Sequence, residues 1–124
     1  YGPFLNGNSF SFTLLIEKYI AGNWKFIPGN GEKIGNYIFI DDVVNGHIQA
    51  MNIGLKGESY LLAGVNCTYN EFFKIPPSVV PKWIKRGNFN WEVSSKKMNE
   101  KLHIETTSLE DGIKKTVLWA THPK

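Results

Sequence analysis

Apolar residues along this chain recur at two spacings, and the change from one to the other marks out its elements. Over residues 8–21, Phe12, Leu15, Ile16, Tyr19 and Ile20 return every three or four positions, which places them on one helical face. Asn8 or Ser9 stands where such a helix is capped, and Gly22 supplies the left-handed residue that commonly ends one. A short strand is predicted over Trp24–Ile27, closed by the turn Pro28-Gly29-Asn30-Gly31, and another over Asn36–Ile40. Asp41 or Asp42 reads as the cap of a second helix with Val44, Ile48 and Met51 as its buried stripe and Gly54 at its end. Within Gly57–Ala63, the unbroken run Tyr60-Leu61-Leu62 suits a strand covered on both faces, as in a parallel sheet. Thr68-Tyr69-Asn70-Glu71 has the spacing of a capping box, followed by Phe72 and Phe73. A loop with Pro76, Pro77 and Pro81 leads through Trp83 to Trp91. Ser95 is predicted to cap a helix carrying Met98 and Leu102. Ser108 and Asp111 open a last helix that buries Leu109, Ile113, Val117 and Ala120. The order of helix, strands, helix, strand and helices is that of an α/β chain.

Composition narrows this picture. A chain of 124 residues has room for one ordinary domain, and 42% hydrophobic with 20% charged residues argues for a folded one. The net charge of +3 is too mild for a nucleic-acid partner. Lys96, Lys97, Lys101, Lys114 and Lys115 are interrupted by Glu100, Glu105, Glu110 and Asp111, a pattern of solvated helix surfaces. Cys67 is the one cysteine, which excludes an intrachain disulfide and fits a cytoplasmic setting. Tyr37–Ile40 and Tyr60–Val65, the longest apolar runs, are too short to span a bilayer, so no membrane partner is expected. Asn66-Cys67-Thr68 spells a glycosylation sequon, read as coincidental without a secretory context. The opening Tyr1-Gly2-Pro3 is a turn with no strand before it, so the chain is expected to continue a longer one.

The motifs that would carry chemistry mostly fail their own tests. Gly29-Asn30-Gly31 has Ile34 where a dinucleotide loop needs a third glycine, and it opens no helix. No Walker loop and no Gly-x-Ser-x-Gly elbow is present. The Asp41-Asp42 pair has no third ligand near it, so it is read as a helix cap and no metal is expected. His47, His103 and His122 stand alone in sequence.

Several pieces nevertheless match one family in one order: Tyr1-Gly2-Pro3, then the helix ending at Gly22, then Phe26-Ile27-Pro28-Gly29-x-Gly31. Tyr37-Ile38-Phe39-Ile40-Asp41-Asp42-Val43-Val44-x-Gly46-His47 follows, then Gly57-Glu58-x-Tyr60-x-Leu62 and Thr68-Tyr69-x-Glu71-Phe72-Phe73. With Val93-Ser94-Ser95-Lys96-Lys97 and Ser108-Leu109-Glu110-Asp111-Gly112-Ile113, they resemble the C-terminal half of NAD-dependent epimerase/dehydratase proteins, the extended short-chain dehydrogenases. The resemblance implies that residues 1–124 are the C-terminal part of a Rossmann-type parallel sheet with a small helical substrate-binding lobe. NAD or NADP would be bound mainly by an N-terminal half outside this chain, which would be its partner, and a homodimer is a further possibility.

By position in that family, Phe4, Asn8, Lys25, Phe26, Ile27 and Arg86 are the candidates to bind a small-molecule substrate. No catalytic or cofactor-binding residue is assigned. Four residues after Tyr1, Tyr19, Tyr37, Tyr60 and Tyr69 stand Leu5, Asn23, Asp41, Gly64 and Phe73, so the family's Tyr-x-x-x-Lys pair is missing. That pair matters because reduction of a carbonyl needs a proton donor with a lowered pKa. Gly35-Asn36-Tyr37 replaces the Arg-Asp-Tyr that grips the diphosphate in many nucleotide-sugar enzymes. The resemblance is therefore closest to the dihydroflavonol-reductase-like branch and implies reduction of a ketone. Nucleotide-sugar epimerisation or dehydration, and a non-catalytic NAD(P)-sensing scaffold, are the alternatives. The run from Phe73 to Trp91 is short for the family, which implies a shortened lid or a break near Lys74-Ile75.

Overall fold

The computed structural model describes residues 1–4, 12–23, 31–73 and 90–122. Among them lie helix α1 (Phe12–Ile20), strand β1 (Ile34–Tyr37), helix α2 (Ile40–Ile53), strand β2 (Val65–Thr68) and helices α3 (Tyr69–Phe73), α4 (Lys96–Leu102) and α5 (Leu109–Thr121). The mixed helix and strand content expected from the sequence is present. The strand at Trp24–Ile27 and the proline-rich loop fall outside the described residues.

α1 ends as its glycine requires. Gly22 has φ +70°, its N–H donates to Tyr19 O at 3.0 Å, and Asn23 N–H donates to Lys18 O at 2.8 Å, the paired bonds of a Schellman motif. β1 and β2 pair antiparallel, with Ile34 opposite Thr68 and Tyr37 opposite Val65. The strand predicted to reach Ile40 stops at Tyr37, because Ile38 and Phe39 bond elsewhere. The Tyr1 amino group donates to Ile38 O at 2.9 Å and Ile40 N–H donates to Tyr1 O at 2.8 Å, flanking Phe39 as a parallel neighbour does.

Three expectations are corrected. Tyr60–Ala63 forms no ladder among the described residues, whose sheet is the two-stranded β1–β2 pair. Leu61 is exposed there and Ala63 is buried. The stripe Val44, Ile48 and Met51 is 51%, 50% and 86% exposed, because α2 turns its small residues inward. Gly46 lies against Leu62, and Ala50 packs on the buried cluster of Met98, Leu102 and Ile104. The Leu62 side chain fills the space that a larger residue at position 46 would need. Lastly, Phe39 and not an aspartate stands at the N-cap of α2, with no side-chain bond to the helix.

A second cluster joins Ile16, Tyr37, Cys67 and Phe72, with Tyr1, Tyr69, Leu109, Ile113 and Val117 packed around it. Tyr37 stacks on Phe72 with ring centroids 4.3 Å apart, so β1 and α3 share one aromatic centre. α3 starts in the predicted capping box: Glu71 N–H donates to Thr68 Oγ1 at 3.1 Å, and Thr68 N–H donates to Glu71 Oε2 at 2.7 Å. At α4, Ser95 makes no capping bond with its side chain, and Lys96 N–H donates to Ser94 Oγ at 3.3 Å. At α5, Ser108 Oγ accepts from Asp111 N–H at 3.2 Å, as the sequence predicted.

Side-chain amides stitch the sheet to its surroundings. Asn36 Oδ1 accepts from Gly64 N–H at 2.8 Å, and Asn36 Nδ2 donates to Asn66 Oδ1 at 2.8 Å. Asn66 Nδ2 in turn donates to Val93 O at 2.8 Å, and its Oδ1 accepts from Val93 N–H at 3.1 Å. Among the described residues, no helix is long and apolar enough to cross a membrane.

Candidate functional site

Among the described residues, helix α5 borders two features that could meet a ligand. Its Leu109, Ile113 and Val117 face α1 and α3 across a cavity of about 680 Å3, with Ile16, Tyr19, Ile20 and Phe72 opposite. That volume suits a small organic molecule, for which ligand sites run from roughly 300 to 1,000 Å3. Glu71, Glu110 and Lys114 stand at its edge and are already engaged. Glu71 accepts from Thr68, which holds its carboxyl below the usual range, and Lys114 lies 2.8 Å from Glu110, which raises its pKa. The remaining wall is apolar.

The other side of α5 runs along the chain's first residues. A Cβ on Gly112 would stand 2.2 Å from the Tyr1 hydroxyl, Lys115 Nζ lies 5.4 Å above the Phe39 ring, and the Trp119 ring lies 5.8 Å from that of Phe4. Gly112, Thr116 and Trp119 share one helical face, about one residue in four along the axis. Asp42 fixes where this helix begins. Its buried carboxylate accepts from Thr107 N–H at 2.8 Å and from the Thr107 hydroxyl at 2.6 Å. These two bonds, across 65 residues of sequence, are why Asp42 does not cap its own helix. Asp41 is exposed.

Of the six predicted substrate residues, the structure describes Phe4. It is 83% exposed, has φ +64° and does not line the cavity. Asn8, Lys25, Phe26, Ile27 and Arg86 lie outside the described residues, as does the segment around Lys74-Ile75. Trp119 falls outside the sequence reading because it lies off the apolar spacing of Leu109, Ile113 and Val117. The available signal was Gly112, a small residue seven positions earlier on the same face.

Nothing among the described residues is shaped to cradle a dinucleotide. Among the described residues the positive-φ glycines are Gly2, Gly22, Gly31 and Gly57, and none opens a described helix onto which a pyrophosphate could be placed. The shifted tyrosine hydroxyls move away from acid chemistry. Burial, then the Asp42 and Cys67 charges, push Tyr1 up to about 12, and burial raises Tyr37 and Tyr69. Groups of three metal-ligating side chains are also lacking among the described residues.

No protein-family profile matches this chain, and no curated protein does. Solved structures do. The UDP-glucose 4-epimerase of Thermotoga maritima, determined with UDP-glucose, shares 26% identity at a TM-score of 0.72, over 96% of this chain and 42% of that one. The UDP-glucuronic acid 4-epimerase from Bacillus cereus, in complex with UDP-glucuronic acid and NAD, gives 19% identity and 0.72, over 97% and 42%. The Bordetella bronchiseptica enzyme WbmF with NADH gives 24% and 0.64, over 88% and 36%. The fold is one these enzymes share. The chain spans less than half the length of each of them.

Proposed function

We propose that this chain is the substrate-binding part of an NAD(P)-dependent epimerase acting on a nucleotide sugar. The observation that carries the reading is the likeness of nearly the whole chain to less than half of a UDP-glucose 4-epimerase at 26% identity. The motif order from Tyr1-Gly2-Pro3 to Ser108-Leu109-Glu110-Asp111 supports the NAD(P)-dependent family, though not the choice of substrate, independently. NAD or NADP, bound mainly by sequence preceding Tyr1, would supply hydride chemistry at a carbinol carbon. The residues of this chain would hold and orient the substrate and exclude water from it, with Phe4, Asn8, Lys25, Phe26, Ile27 and Arg86 as candidates. The exposed Val44, Ile48, Met51 and Leu61 suit a face packed against that preceding half.

A ketone reductase is the second reading, and one local feature favours it. Gly35 stands where the diphosphate-gripping arginine would be, and a Cβ there would lie 2.8 Å from the Tyr37 hydroxyl. A side chain at that position would have to displace a buried, stacked tyrosine. The deciding experiment uses the complete gene product, purified and supplied with NAD and NADP. Interconversion of UDP-glucose with its C4 epimer is expected. Consumption of NADPH by a dihydroflavonol, with the UDP-sugar untouched, moves the assignment to the reductase, and silence toward both points to a non-catalytic scaffold.

A further inference from the structure

We propose that Trp119 is a positioning residue for substrate, acting through Phe4. Phe4 holds φ +64° while 83% exposed. The left-handed region costs an aromatic residue on the order of 1–2 kcal/mol, and burial of its own ring offsets little of that here. Its neighbours must therefore impose the conformation. Gly2, two residues before it, is held so closely to α2 that a Cβ there would lie 2.3 Å from Ile40 Cγ2. Tyr1, which precedes Gly2, has its ring edge-on to Phe39 at 5.6 Å and to Phe72 at 5.5 Å. The turn leaves the core at Gly2, and Phe4 meets the Trp119 ring at 5.8 Å and 58°.

α5 is what brings Trp119 there. The same helix face that presses Gly112 against Tyr1 delivers Trp119 two turns later, at Phe4. Asp42 and the Ser108 cap anchor the start of α5, so the far end is placed by a rigid rod and not by the turn itself. The result is two tilted aromatic faces, and the exposed one belongs to Phe4, which family position makes a candidate to bind substrate. Such a surface takes the C–H face of a hexose or the ring of an aromatic ketone. This role rests on the proposed function in one respect: it requires that Phe4 touches substrate. Trp119 sets the direction of the Phe4 ring and thereby substrate affinity.

The test uses the complete enzyme carrying fluorotryptophan, with the Trp119 fluorine resonance identified by its loss in Trp119→Phe. Phe4→Ala is expected to shift that resonance. With whichever of UDP-glucose or the dihydroflavonol turns over, Trp119→Ala is expected to raise substrate KM about tenfold, leaving kcat and the cofactor KM within about twofold. Trp119→Phe is expected to recover most of the loss, and the Phe4→Ala, Trp119→Ala double variant to match Phe4→Ala alone. A resonance indifferent to Phe4→Ala, or two substitutions whose effects multiply, overturns the proposal. So does a Trp119→Ala variant that loses kcat and melting temperature together and is not recovered by Trp119→Phe. An enzyme silent toward both probes overturns the proposed function instead, and the resonance then judges the aromatic contact alone.

Discussion

Gly64 shows how little room single positions leave in this chain. A Cβ at Gly64 would lie 2.0 Å from Tyr37 O and 2.5 Å from Ile38 Cα, both backbone atoms that cannot swing aside. Gly64→Ala is therefore expected to cost about 3 kcal/mol in urea unfolding, the upper range for overpacking. Cys67 gives a pH-dependent counterpart. Burial, with the Glu71 charge second, pushes its thiol up to about 11 from an ordinary 9.0. The unfolded chain thus deprotonates first as pH rises. The contribution of this thiol is complete below about pH 9 and disappears as pH climbs through 11. The urea midpoint is expected to fall between those limits, and Cys67→Ala to flatten part of the slope. The Tyr1 hydroxyl, displaced in the same direction, accounts for a further part.

Among the elements, three with local signals were legible in the sequence, whereas Ser95 at α4 makes no capping bond with its side chain. The Thr68–Glu71 box, the Ser108 start and the Gly22 stop each depend on residues a few positions apart, and each forms. Ser108→Ala is expected to cost about 1 kcal/mol, and helical circular dichroism and the melting curve would register it. What depended on distant partners was not legible. Asp42 reads as a cap until Thr107 arrives from 65 residues away, and α2 reads as burying Val44 and Ile48 until Leu62 is seen lying on Gly46. Thr107→Val removes the hydroxyl that donates to Asp42 Oδ1 and keeps the Thr107 N–H that donates to Oδ2. About 2 kcal/mol is expected, and Asp42→Asn should recover part of it by removing the buried charge. If Thr107→Val melts like the parent protein, the hydroxyl's share of the link between α2 and α5 carries no stability.

Taken whole, the molecule carries apolar surface that its own described residues do not cover. Val44, Ile48 and Met51 line one side of α2, with Leu61 exposed as well. The 124-residue chain on its own is expected to self-associate with rising concentration in sedimentation. Ile48→Lys with Met51→Lys should suppress this without lowering the melting temperature, since neither side chain is buried. The candidate site was the least legible level. Its sequence assignments came from family position, and only Phe4 among them falls within the described residues, while Trp119 emerges from three-dimensional placement.

The amide stitching around Asn66 bears on how this protein can be produced. Both polar atoms of that side chain grip Val93, so the Asn66-Cys67-Thr68 sequon is closed once folding is complete. In a host that routes the chain through an endoplasmic reticulum, a glycan would be added to the nascent polypeptide, before the grip forms. The sugar-bearing nitrogen would then keep a single hydrogen and carry its glycan beside the Val93 carbonyl, and the segment leading into α4 would lose part of its hold on the sheet. A bacterial cytoplasm spares the chain that competition.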